Sequence, residues 1–143
     1  MILRPATFQD AALLLAWRND PETRAASHNT SELMKDEHLA WLKNTLNDAS
    51  KKLFIAEENG LPVGTVRADR EDGIHELSWT VAPNERGHGI GKEMLLMMIR
   101  ELAEPVRAEI KVWNKAAIRM AEHAGMKYER EENGVLHYVK WKS

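Results

Sequence analysis

Apolar residues along this chain recur with two periods, and the switches between them mark the elements. Ile2-Leu3-Arg4 reads as a short first strand, and Thr7 with Asp10 three positions later forms a capping-box-like helix start. Leu13, Leu14 and Trp17 follow at helical spacing. They predict a first helix to about Arg18, which Asn19-Asp20-Pro21 stops. Leu39, Leu42 and Leu46, flanked by Trp41, predict a second helix over about Lys35 to Leu46. Lys52 to Glu58 and Leu61 to Asp69 then read as strands joined by a tight hairpin at Asn59-Gly60. Glu71-Asp72-Gly73 makes the next turn, and Ile74 to Val81, rich in β-branched and aromatic residues, is the next strand, ending at Pro83. Ile90, Met94, Leu95, Met98, Ile99 and Leu102 give a helix face broad enough to cover a sheet, and Pro105 terminates it. Arg107 to Val112 is a strand, and Lys115 to Ala124 a short helix stopped by Gly125. Met126 to Glu132 and Val135 to Lys142 form a last hairpin around Asn133-Gly134.

Strand, two helices, three strands, helix, strand, helix and two strands make one mixed α/β domain over residues 1–143, without internal repeats. A hydrophobic fraction of 43% against 29% charged residues allows a packed core and separates the chain from disordered compositions. A net charge of -2 provides no electrostatic footprint for nucleic acid or an anionic membrane. The absence of cysteine excludes disulfides, cysteine-ligated zinc and thiolate catalysis. Neither a signal peptide nor a membrane-length apolar run is seen, so the cytoplasm is the expected location. Exposed edges of a small open sheet make a homodimer an expectation too.

The segment with chemistry in it is Val81-Ala82-Pro83-Asn84-Glu85-Arg86-Gly87-His88-Gly89-Ile90-Gly91, which runs from a predicted strand into a predicted helix. A helix amino terminus offers unpaired N–H groups and a positive dipole end, and glycines let that backbone approach phosphate oxygens. Arg86 adds a fixed positive charge with a donor fork. The P-loop signature is not met. Lys92 follows Gly91, but Glu93 stands where a metal-ligating hydroxyl is required, so no metal site is expected.

Arg86, Gly89 and Gly91 fill the Arg/Gln-x-x-Gly-x-Gly/Ala loop of motif A of the GNAT acetyltransferases, and the element order is similar to that fold over essentially the whole chain. Val112-Trp113-Asn114-Lys115-Ala116-Ala117 with Ala124-Gly125-Met126 resembles motif B. The resemblance implies a central mixed, mostly antiparallel sheet of about seven strands with four helices, and acetyl-CoA as cosubstrate. It further implies that Trp79, Thr80 and Val81 lie beside the pantetheine and acetyl group. The amides of Arg86, Gly87, His88, Gly89, Ile90 and Gly91 would bind the pyrophosphate, and Asn114 would contact the cofactor. Asn114 also fits a plain helix N-cap.

Transfer of acetyl to an amine needs a proton acceptor and stabilisation of a tetrahedral oxyanion. The resemblance makes the Val81 N–H the oxyanion donor. Strand alternation puts Glu76, Ser78 and Thr80 on one face and His75, Leu77, Trp79 and Val81 on the other, and a central strand rarely carries a carboxylate without a partner or a task. Glu76 is therefore the first candidate base, ahead of His75 and His137, although it also fits a carboxylate paired with an arginine. Ala121 stands where many of these enzymes carry a tyrosine acid, which raises the alternative of a noncatalytic acyl-CoA sensor. The tyrosine-free helix and Glu76-Leu77-Ser78-Trp79 resemble the ribosomal-protein N-terminal acetyltransferases. Trp17-Arg18-Asn19-Asp20-Pro21 with Glu37-His38-Leu39-Ala40-Trp41-Leu42 resembles the nucleotide-aminosugar acetyltransferases of pseudaminic acid synthesis. By that resemblance Trp17, Arg18 and Asn19 would flank the acceptor, which is an amine of a small molecule or a protein N-terminus. Taken singly, Trp17 is better accounted for by core packing and Arg18 by helix-end charge; the cluster as a whole is less easily dismissed.

Overall fold

Two-residue turns with positive φ at both positions, Asn59-Gly60, Asp72-Gly73 and Asn133-Gly134, set three hairpins. The computed structural model describes residues 1–141. Its strands are β1 (Ile2–Pro5), β2 (Lys51–Glu58), β3 (Leu61–Glu71), β4 (Ile74–Val81), β5 (Val106–Lys111), β6 (Lys127–Glu132) and β7 (Val135–Lys140). They form one sheet in the order β1-β2-β3-β4-β5-β7-β6, antiparallel throughout except for β4 with β5. Lys142, expected at the end of the last strand, lies outside the described residues. The helices are α1 (Ala11–Asn19), α2 (Pro21–Ala26), α3 (Lys35–Leu46), α4 (Ile90–Glu101) and α5 (Lys115–His123).

Five helices replace the expected four because Pro21 begins a helix as well as ending one. Asp20 caps α2 by accepting the Thr23 N–H (3.2 Å), and Pro21 occupies the first turn, where its missing donor costs nothing. The register of α3 also differs from expectation. His38, Leu42 and Thr45 are its buried positions, and Leu46 faces outward. His38 can be buried because its Nε2 lies 3.1 Å from the Ala11 carbonyl and its ring stacks on Trp41.

The sheet separates two apolar layers. On one face Ile90, Met94, Leu95 and Met98 of α4, with Leu102, join Val66, Ala68, Leu77 and Val81. Each of these Val, Leu, Ile and Met side chains contributes about 1.5–3 kcal/mol on full burial. On the other, Leu14, Trp17 and Leu42 join Leu53 and Ile55 of β2. The arrangement leaves one discontinuity at the centre. β4 pairs with β3 from Ile74 to Val81, but with β5 only at His75–Val106 and Glu76–Arg107. Past Glu76 the sheet splits.

Candidate active site

The split exposes main chain on one side of β4. Ala82 N–H donates to Val63 C=O (2.9 Å), so the facing residues Val81 and Gly64 exchange no hydrogen bonds with each other. On the opposite edge, His75 N–H donates to Pro105 C=O (2.9 Å). Odd-numbered residues of β4 therefore turn their N–H and C=O groups toward β5. At Trp79 and Val81 no strand meets them among the described residues. A cleft of about 1130 Å³ occupies this gap, lined by Leu77 through Val81 and by Arg86, Gly87, Gly89, Ile90 and Gly91.

The loop into α4 has the conformation its glycines suggested. Gly87 and Gly89 have φ of +82° and +77°, and a Cβ built on either meets no protein atom within 4 Å. Their conformation, and not packing, calls for glycine there. Gly89 is the N-cap of α4, so the N–H groups of Ile90, Gly91 and Lys92 have no carbonyl within the helix to bond. Gly91 has a different use: a Cβ there would collide with Met120 Sδ of α5. His88 is exposed, and its Nδ1 is 3.4 Å from Glu85 Oε2.

Arg86 departs from its expected role as a free phosphate ligand. Its guanidinium is held by Asp20 (2.6 Å) and Glu22 (2.9 Å), so its charge is spent on α2. Burial works against the Asp20 carboxylate, but Arg86 and Thr23 hold it below its ordinary value. Lys92, Lys115 and Arg119, which the sequence did not single out, line the cleft and make no ion pair among the described residues. With the two open glycines and the helix terminus they fit a polyphosphate-bearing cofactor. Asn114 is the N-cap of α5, accepting the Ala117 N–H at 3.2 Å, and it also lines the cleft.

Glu76 lies at the foot of the split, beside Arg107 Nε at 3.4 Å, and does not line the cleft. Three carboxylates line the cleft: Glu22, paired with Arg86, Glu85, beside His88, and Glu109, two positions beyond Arg107 on β5 and next to the split. Burial, then proton sharing with Glu109 and repulsion from its charge, raise the Glu76 carboxyl above its ordinary value against the pull of Arg107. His75 is buried against Glu104 (3.1 Å) and His137 pairs with Glu132 (3.9 Å); both are outside the cleft. Ala121 is fully buried in the core and also outside it, so a tyrosine there would not reach the cleft without repacking the core.

On the far wall, Trp17 belongs to the second core and touches the cleft, and Arg18 lines it. Asn19 does not. Its amide is used by Leu33, donating to the carbonyl (2.9 Å) and accepting from the N–H (2.8 Å), which holds the chain after α2. Trp41 lies under the Arg67 guanidinium, 5.4 Å from ring centre.

The acetyltransferase (GNAT) domain model matches residues 1–127. A ribosomal-protein-alanine N-acetyltransferase from Brucella melitensis is 28% identical, covers 99% of each chain and superposes with a TM-score of 0.83. A putative acetyltransferase from Salmonella typhimurium, solved with its cofactor acetyl-CoA, is 22% identical, with a TM-score of 0.82 over 100% of this chain and 94% of that one. A spermidine N-acetyltransferase from Vibrio cholerae, solved with CoA and spermine, is 15% identical with a TM-score of 0.87 over 99% and 95%. The comparison with curated proteins finds no match. With a split sheet, a glycine-cradled helix terminus and a family model spanning most of its length, the chain belongs to the GNAT acetyltransferases.

Proposed function

We propose that the protein transfers the acetyl group of acetyl-CoA to a primary amine. The observation that carries this reading is the departure of β5 from β4 after Glu76 beside the open glycine cradle, which puts unpaired main-chain groups and phosphate-suited donors along one cleft. The amides from Arg86 to Lys92 hold the pyrophosphate, with Lys92, Lys115 and Arg119 neutralising phosphate charge. Trp79 and Val81 offer main-chain bonds to the thioester arm. Asn114, an N-cap in the fold, borders the same arm.

The amine nitrogen forms a C–N bond to the thioester carbon, the C–S bond breaks, and the sulfur leaves as a thiolate that takes a proton from water. The Val81 N–H stabilises the oxyanion between those events. Glu109, the cleft carboxylate nearest the split, accepts the amine proton. A thiol with a pKa near ~8.5 on the cysteine scale needs no dedicated acid, so burial of Ala121 does not argue against turnover.

The acceptor is a small-molecule amine, such as a nucleotide-linked amino sugar, or a protein N-terminus; similarity to the Brucella enzyme supports the second class and the α1 and α3 motifs the first. Free CoA release is measured with a panel of amines, amino-sugar nucleotides and N-terminal peptides. Release dependent on an acceptor is expected. Acetyl-CoA binding without release for any acceptor would make the protein a noncatalytic sensor.

A further inference from the structure

The cleft has a charge with nothing to neutralise it. Arg18 lines the acceptor wall, and its Nη1 is buried without a partner. Nη2 donates to the Asn29 carbonyl at 2.5 Å, and no carboxylate pairs with the group among the described residues. Burial disfavours its charged form, and Arg24 adds like-charge repulsion. An arginine stays ionised regardless, so the wall holds a desolvated cation.

The cleft's carboxylates stand elsewhere: Glu22 on α2 is taken by Arg86, Glu85 in the loop before α4 lies beside His88, and Glu109 is on β5 near His28. α1, α3, β2 and β3 bring Arg18, His38 and Arg67 to the cleft as their titratable groups, and no carboxylate. Arg67 is spent on Asp69, with Nε 3.0 and 3.2 Å from the two oxygens. His38, 2% exposed, has Nε2 at the Ala11 carbonyl and Nδ1 without a partner. Burial, chiefly, and the Arg18 charge keep that ring neutral, so donation from Nε2 leaves Nδ1 as an acceptor. The wall therefore combines a guanidinium whose Nη1 has no partner with a neutral acceptor.

We propose that Arg18 recognises an anionic group on the acceptor, so that the substrate is a primary amine bearing a carboxylate or a phosphate. This rests on the acetyl-transfer reading and narrows its substrate class. A charge-assisted bond to Arg18 replaces the solvation the guanidinium has lost. A polycationic amine would bring a second ammonium toward Arg18, with no carboxylate from these four elements to receive it.

The test uses the full chain and matched probes: glucosamine 6-phosphate against glucosamine, β-alanine against β-alaninamide, and spermidine. For wild type, Arg18→Gln and Arg18→Lys, kcat/KM is read from CoA release, and affinity from ligand-observed NMR on CoA-loaded protein. Thermal protection by acetyl-CoA reports that each variant is folded. Wild type should prefer the anionic member of at least one pair by about tenfold or more, the scale of one charge-assisted hydrogen bond. Which pair responds separates phosphate from carboxylate. Arg18→Gln should bring that preference close to unity, and Arg18→Lys should restore part of it. Equal or reversed preference in both pairs, selection of spermidine, or a preference that survives Arg18→Gln overturns the proposal. Absence of CoA release from every amine refutes acetyl transfer instead, and the NMR affinity ratios still decide the role of Arg18.

Discussion

Gly89 and Gly60 form a matched pair for testing the cofactor cradle. Their φ values are +77° and +79°, and a Cβ on either meets no protein atom within 4 Å. Gly89 borders the cleft, whereas Gly60 is in the β2–β3 hairpin turn. Alanine at a left-handed position costs about 1–2 kcal/mol. For a chain of this length, with about 3 °C of Tm per kcal/mol, both variants should melt about 3–6 °C below wild type. Backbone strain alone does not distinguish them.

The ligand does. Acetyl-CoA at about 100 times its Kd adds ~2.7 kcal/mol to the folded state, or about 8 °C. Gly60→Ala should keep that increment on its lowered baseline. In Gly89→Ala the methyl stands in cleft space where phosphate oxygens would approach. If binding weakens about a hundredfold, RT ln 2 leaves ~0.4 kcal/mol, an increment of about 1 °C. Differential scanning fluorimetry of the three proteins with and without acetyl-CoA gives the answer. A full increment in Gly89→Ala, or an equal loss in both variants, would refute the cradle.

Glu109→Gln should lower kcat/KM for a true amine by about 10²–10⁴-fold at neutral pH and by much less at alkaline pH, where solution has already deprotonated the amine. Glu76→Gln should have a far smaller effect; the reverse order in a pH–rate profile returns the base to Glu76. Ala121→Tyr should lose about 1–3 kcal/mol in urea denaturation through overpacking, without gaining CoA release, and a gain would disprove the account of the leaving thiolate. Hydrogen bonding from Arg70, chiefly, with help from His75, holds the Glu104 carboxyl down to about 2. The stability this carboxylate adds is present above its ordinary value of 4.5 and is lost as pH falls from there to about 2, so Glu104→Gln should flatten that part of the stability curve. An unchanged acid limb would show that the exposed pair contributes nothing.

What the sequence made legible was local chemistry. Asn-Gly and Asp-Gly turns demand positive φ, and the stripe from Ile90 to Leu102 has one stable use, so the hairpins and α4 follow from single stretches. α2 went unread because it buries no residue and has no apolar period to detect. His38 went unread as a core position because its burial depends on a carbonyl 27 residues away. Glu109 was hidden by alternation. With Val106, Ala108 and Ile110 buried, Arg107, Glu109 and Lys111 look like an ordinary polar strand face. Only the loss of pairing beyond Glu76, a tertiary event, turns that face into the floor of a cleft.

The same split explains why Arg86 is paired within the protein. The acceptor wall after α1 must bridge a gap between two strands, and α2 brings it no apolar anchor. Polar ties from both lips do the holding instead. Arg86, on the cradle side, takes Asp20 and Glu22. On the β5 side Lys111 Nζ donates to the Ala25 carbonyl (2.8 Å), and Glu109 lies 3.9 Å from His28. A segment without buried side chains rests on such ties, each of which is weak when exposed. Arg86 is thus committed to joining the loop before α4 to the far wall, and in the proposed function it is the unpaired cations at the starts of α4 and α5, with Arg119 a turn further on, that would meet the phosphates. Asp20 completes the arrangement by capping α2 with the same carboxylate that receives Arg86, so one residue both starts the helix and fixes where it sits.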